Sequence, residues 1–291
     1  MSTAAPAETN QSASSQTPFE SAWTQWHEAH ENLRRDPHGF LAVTDLHWIT
    51  TEAAALAGAP GTWRLADDAV HVTLGAGESL LRDGVELNTT ENLNAEGELV
   101  FGPIEERDGI NLGHGNSVLE LAKRGGEYIL RPRNPSNALL RNYQGTPAFA
   151  RTESLVLVLG AQYVPFRQPR ETIVGAAVEG INHVYQAPGK VTFKLDGAEL
   201  ALTAFNGSAP GTFQVLFTDE TSGISTYAAN RILTFTAPEQ GGTTTLDFNR
   251  AVNLPCAYTD LATCPLPPAE NHLPVAITAG EKIPFEREAA Q

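Results

Sequence analysis

Basic residues, cysteine and methionine are all scarce in this chain of 291 residues, which carries 19 Lys and Arg against 34 Asp and Glu, two Cys and one Met. The formal charge of -15 repels a phosphate backbone. Nucleic acid and an anionic membrane surface are therefore not expected partners, although a local basic pocket stays compatible with that charge. No apolar run approaches the roughly 18 residues that a membrane helix needs. The opening stretch MSTAAPAETNQSASSQ has neither a basic n-region nor an apolar h-region. The expectation is a polar, disordered tail over 1–16, no secretory signal and a cytoplasmic location. In such a reducing setting Cys256 and Cys264 are expected as buried thiols. Oxidised, they would close a short loop and contribute about 2–3 kcal/mol.

Motifs that would name a reaction are missing too. There is no G-x-S-x-G elbow, Walker loop, H-E-x-x-H or dinucleotide fingerprint, and nothing specifies a cofactor. The C-x7-C spacing does not fit a paired-thiolate zinc knuckle, so no metal is expected, with Cys256, Cys264 and His272 only weak candidates. A catalytic cysteine would need His272 or His183 as its base. His27 and His30 stand three apart, a spacing that can chelate, but packing and surface roles are the expectation for both. His47 beside Trp48 reads as a hydrogen-bonded core histidine. Gly113-His114-Gly115 lacks the strand and helix that would flank a phosphate loop. Asp67-Asp68 and Glu105-Glu106 read as solvated charge in turns.

What is present is a globular pattern, with 41% hydrophobic and 18% charged residues, enough to build a core. Thr17-Pro18-Phe19-Glu20 predicts a helix start with Thr as cap. Phe19, Ala22, Trp23, Trp26, His30 and Leu33 then form one apolar stripe ending before Pro37. A short helical turn is predicted over 51–57. Thereafter the period is two, and Asp83-Gly84, Gly125-Gly126 and Asp196-Gly197 predict tight hairpins. Phe213, Val215 and Phe217 lead into a turn at Thr221-Ser222-Gly223. A return strand is predicted from Tyr227 to Phe235, and a last one from Thr243 to Arg250. This predicts a mostly β fold, an antiparallel meander forming a barrel or sandwich with an N-terminal helical cap. The expected organisation is a tail over 1–16, the cap over 17–60, an early β unit over 61–135 ending in a trough at Arg131-Pro132-Arg133, and a barrel or sandwich over 136–288 with its closing segment.

That closing segment, 246–282, interleaves Pro255, Pro265, Pro267, Pro268 and Pro274 with hydrogen-bonding residues and both cysteines. An arginine on an apolar strand face must find an anion. Arg231 is such a residue, with Asp219 and Asp247 as available partners. Two readings follow: a buried pair that pins the hairpin, or a pocket in which Arg231 holds a ligand carboxylate or phosphate. The pocket reading makes the protein a binder of a small polar or anionic molecule, lined by Asp219, Tyr227, Arg231, Asp247, Asn249, Asn253, Glu270 and Asn271. One alternative is a hydrolase-type enzyme using Asp247 or Glu270 as base with Arg231 as stabiliser. Another is a structural or interaction module without a ligand.

Phe217, Asp219, Thr221, Gly223, Thr226, Tyr227 and Arg231, followed by Leu246 to Ala251, Pro255-Cys256-Ala257, Cys264 to Pro268, Glu270-Asn271 and Ala279 to Lys282, resemble the bacterial family catalogued as domain of unknown function 1684. The helix with its tryptophans and the LAVTDLHWI step resemble that family's start, so the resemblance extends from about Phe19 to Pro284. Val252 and Leu254 depart from the aromatic and second proline usual there. The resemblance implies no established activity.

Overall fold

Thr17 caps the helix Pro18–Arg34 in the computed structural model, which describes residues 17–87, 91–150, 157–239 and 241–288 and so leaves the expected tail over 1–16 outside. Thr17 Oγ1 accepts from Glu20 N at 3.2 Å while Thr17 N donates to Glu20 Oε2 at 2.8 Å. Such a reciprocal cap is worth about 1 kcal/mol. Trp23 is buried and its Nε1 donates to the Asn249 carbonyl at 2.8 Å. The predicted apolar stripe fails beyond that point. Leu33 is 73% exposed, and Glu31 and Arg34 face inward instead. A hydropathy pattern counts these two as surface residues because it cannot register partners supplied by remote segments of chain.

The stretch 51–57 is not helical. Ala54–Ala55 pairs antiparallel with Trp63 and Thr62. Seven residues are too few to hold a helix alone, and a strand partner lies alongside. The three predicted hairpins all form with paired left-handed residues: φ is 51° and 80° at Asp83-Gly84, 62° and 85° at Gly125-Gly126, and 51° and 82° at Asp196-Gly197. These angles are what a two-residue turn needs to match the twist of its strands. Asp67-Asp68, at 50° and 54°, makes a fourth such turn between Thr62–Ala66 and Ala69–Thr73.

Among the described residues the strands form three sheets. One runs in the order His47–Trp48, Glu127–Arg133, Ser117–Arg124, Gly109–His114, Leu81–Arg82, Val85–Glu86. A second, built on Thr62–Ala66, Ala69–Thr73 and Leu99–Phe101, packs against it through Trp63, Val70, Val72, Leu99, Leu112, Leu119, Leu121, Tyr128 and Leu130. The third runs Arg231–Thr236, Thr212–Asp219, Ala198–Asn206, Asn182–Leu195, Leu157–Gly175, Thr243–Asp247. Its end strands lie side by side, with Thr244 Oγ1 donating to Thr236 O at 2.9 Å, so it curls nearly into a barrel. Val191, Leu202, Val215, Phe217, Leu233, Leu246 and Phe248 fill the interior. Each such buried side chain contributes on the order of 1.5–3 kcal/mol. Among the described residues no helix is long and apolar enough to cross a membrane.

Two strand boundaries differ from the prediction. The return strand starts at Arg231, not Tyr227, because the Thr221 carbonyl gathers the amides of Ser225 and Thr226 and coils the segment between. The last strand stops at Asp247, whose Oδ1 accepts from Asn249 N at 3.1 Å and winds Phe248–Arg250 into a 3-10 turn. The closing segment then folds back over the barrel. Gly280 is essential to that path: its φ is 73°, and a Cβ there would meet Ala251 O at 2.5 Å.

Candidate functional site: a basic pocket under the closing segment

Arg231 lies 1% exposed inside the barrel wall. Its Nη2 donates to Asp219 Oδ2 at 2.7 Å and to Ile277 O at 3.1 Å, and its Nη1 to the carbonyls of Ala279 and Glu281. Asp219 Oδ1 in turn accepts from Thr221 N at 2.8 Å. This is a buried pair that pins the hairpin to the closing segment, and Asp247 takes no part in it.

The other predicted residues stand apart from that pair. Asp247 accepts from Asn249 Nδ2 at 2.9 Å and lies 3.3 Å from Arg250 Nε, beside a groove shared with Trp26. Asn253 donates from its backbone to Glu281 Oε2 at 2.6 Å and from Nδ2 to Lys282 O at 2.7 Å. Glu270 is exposed and paired with Arg170. Asn271 is buried as a strand bridge, accepting from Thr203 N at 2.7 Å and donating to Leu216 O at 2.8 Å. Tyr227 is half-buried beside Leu254 and Cys256, and burial pushes its hydroxyl up to about 12. Arg231 and Asn253 thus meet the same 277–282 stretch of the closing segment, whereas Asp247, Asn249, Glu270 and Asn271 lie on other stretches of it and make no contact with Arg231. His272, exposed 3.5 Å from Glu220, is likewise away from the buried cysteines.

A charged cluster that the sequence reading did not single out lies on the neighbouring sheet. The turn at Gly125-Gly126 pairs Glu127 with Arg124, and counting back in step pairs Arg131 with Glu120. Alternate residues share a face. Leu119, Leu121, Tyr128 and Leu130 therefore enter the core while Glu120, Arg124, Arg131 and Arg133 turn the other way. Arg131 grips the Glu120 carboxylate with two bonds of 2.8 Å, Arg133 adds a third, and Arg124 Nη2 lies 3.3 Å from Oε1. Burial acts to raise the Glu120 carboxyl, but Arg131 and Arg133 outweigh it and hold it below its ordinary value. Three guanidiniums share the Glu120 carboxylate, with Glu106 also acting on Arg124, which leaves a local surplus of one positive charge on a chain of net -15.

A cavity of about 230 Å³ opens over this surplus, lined by Arg131 and Arg133 on one side and by Pro255, Thr259, Thr263 and Cys264 of the closing segment on the other. Arg133 Nε is buried without a hydrogen-bond partner. No hydrogen bond among the described residues engages Arg131 Nη1. At the cavity's edge Cys264 Sγ accepts from Cys256 N at 3.4 Å, and both cysteines are free thiols. The neighbouring thiol lowers that of Cys264 and, with burial, raises that of Cys256.

The family model described as "Protein of unknown function (DUF1684)" matches residues 141–282. The solution NMR structure of an uncharacterized protein of Haloarcula marismortui is 30% identical to this chain, over 49% of it and 78% of that protein, with a TM-score of 0.41. Over residues 141–282 the chain belongs to the DUF1684 family. No curated protein matches it. The DUF1684 match starts later than the resemblance at Phe19 suggested. It takes in the barrel and the closing segment, so one wall of the basic pocket lies within it, while Glu120, Arg124, Arg131 and Arg133 precede it.

Proposed function

We propose that the protein binds a small anionic molecule, a carboxylate or phosphate compound, in the pocket between Arg131 and Arg133 and the closing segment. The observation that carries this reading is the charge surplus: Glu120 neutralises one of the two guanidiniums that line the cavity, Arg131 and Arg133, and the other remains there with N–H groups to spare. In a low-dielectric setting such donors prefer an anion to water. Thr259 and Thr263 stand on the opposite wall. The cavity, about 230 Å³, suits a compact ligand. An acidic surface disfavours nucleic acid at the same pocket, since the field repels a long polyanion while admitting a small one.

The hydrolytic alternative draws less support, because Glu270 is engaged with Arg170 and Asp247 with Arg250, and neither meets Arg231. The test is thermal shift and calorimetry with phosphate, citrate and malonate at matched ionic strength. These should raise the midpoint where chloride does not, and Arg133→Gln should remove the response. Equal responses to phosphate and chloride, or an unchanged response in the variant, would overturn the reading.

A further inference from the structure

Where the N-terminal helix meets the closing segment, His27, Glu31 and Glu281 each bring one ligand-type atom to within 4.8 Å of the others. His27 and Glu31 are one helical turn apart on the same face, with His27 Nε2 3.9 Å from Glu31 Oε1. Glu281 arrives from the turn that Gly280 permits and is 2% exposed. The His27 ring is stacked on Trp23 at 4.5 Å, which fixes its direction, yet its Nε2 is buried with no hydrogen-bond partner. His30 Nε2, equally without a hydrogen-bond partner, lies 4.0 Å from Glu281 Oε1, beside this group of three.

The outer oxygens of both carboxylates are already held. Glu31 Oε2 accepts from Tyr143 OH at 2.8 Å, and Glu281 Oε2 accepts from Arg34 Nη2 at 2.7 Å and Asn253 N at 2.6 Å. The Oε1 atoms face inward and share Arg34 Nη1, at 2.8 and 2.6 Å. A carboxylate oxygen has two lone pairs, so each can keep Arg34 and still ligate. The two carboxylates are buried with one buried guanidinium, Arg34, and Glu31 Oε2 also lies 3.7 Å from the more exposed Arg35 Nη2.

We propose that His27, Glu31 and Glu281 bind a divalent transition-metal ion. Mixed nitrogen and oxygen donors select zinc, cobalt or manganese over calcium, which takes oxygen alone. Bonds near 2.1 Å put neighbouring donor atoms about 3–3.5 Å apart, so closing the 3.9 Å between His27 Nε2 and Glu31 Oε1 takes a shift of under about 1 Å. Hydrogen bonds from Tyr143, Asn253 and Arg34 orient the ligands, as an outer shell does in metal sites. A cavity of about 260 Å³ lined by His27, Glu31, Arg35, Gly145 and Thr146 reaches two of the three donors. This site is separate from the basic pocket and does not depend on it.

The untagged full-length chain, treated with chelator and dialysed, is titrated with Co(II) followed by visible absorption and with Zn(II) by calorimetry. One ion per chain is expected. His27→Phe keeps an aromatic ring on Trp23 but deletes the donor. It should weaken binding at least about tenfold and alter the cobalt spectrum. Glu31→Gln should do the same, whereas His272→Ala, on an exposed histidine, should bind as the parent does. If Glu31→Gln fails to fold, His27→Phe on the half-buried position decides alone. The absence of stoichiometric binding, or unchanged affinity in a folded His27→Phe protein, would overturn the proposal.

Discussion

Arg34 Nη2 donates to Glu281 Oε2 at 2.7 Å, joining the N-terminal helix to the closing segment across 247 positions of chain. Arg34 Nη1 also reaches Thr146 at 2.8 Å, and Thr146 lies 2.6 Å from the Tyr258 hydroxyl, so one guanidinium ties four segments together. Removing it leaves Glu281 buried without its counter-charge. Arg34→Ala should therefore cost about 3–5 kcal/mol in urea unfolding, against under about 1 kcal/mol for a surface change such as Lys194→Ala. A loss below about 1 kcal/mol for Arg34→Ala would show that the helix is not anchored through this pair.

Arg231 and Asp219 should behave as a structural unit distinct from the anion pocket. Arg231→Ala is expected to cost about 3–5 kcal/mol. The double variant with Asp219→Ala should be less destabilised than the sum of the two singles, because neither charge is then left alone. In whatever fraction stays folded, the phosphate response should persist. Its loss in a folded Arg231 variant would move the ligand to the barrel wall.

Glu120 should shape the acid limb of stability. Its carboxyl is held low in the folded state, so its contribution is complete above the ordinary carboxylate range and disappears as pH falls through the lower folded value. Glu120→Gln should reduce stability at neutral pH, where three guanidiniums lose their shared carboxylate, and should flatten the dependence on acid. Urea midpoints measured from neutral pH to below the carboxylate range test this. Parallel curves for parent and variant would refute it.

Gly280→Ala should destabilise by more than about 1 kcal/mol, since an L side chain is strained at its φ of 73° and the new methyl meets Ala251 O at 2.5 Å. Gly84→Ala is the useful comparison. Its φ of 80° is similar but its Cβ would meet nothing within 4 Å. The difference between the two isolates the cost of the close approach, read from chemical denaturation.

Local signals in the sequence were the reliable ones. The helix cap and the Asp-Gly and Gly-Gly turns require particular residues at particular backbone angles, and all four formed where they were read. What escaped notice depended on partners far along the chain. Leu33 looked like core and Arg34 like surface, and the structure reverses them because Glu281 and Thr146 receive the arginine. Arg231 was correctly seen to need an anion, but Asp247, drawn into its own turn with Asn249, could not supply it. The Arg131-Pro132-Arg133 step was read as a boundary. The Gly125-Gly126 turn, already identified, fixed its register against Glu120, so that signal lay in the sequence unused.

The same register makes the cluster fragile in one particular way. One extra residue in the Gly125-Gly126 turn would swing Arg131 and Arg133 round into the hydrocarbon now occupied by Tyr128 and Leu130, and bring those two out to water. Length at that bend is thus as much a determinant of charge placement as the identity of the arginines themselves.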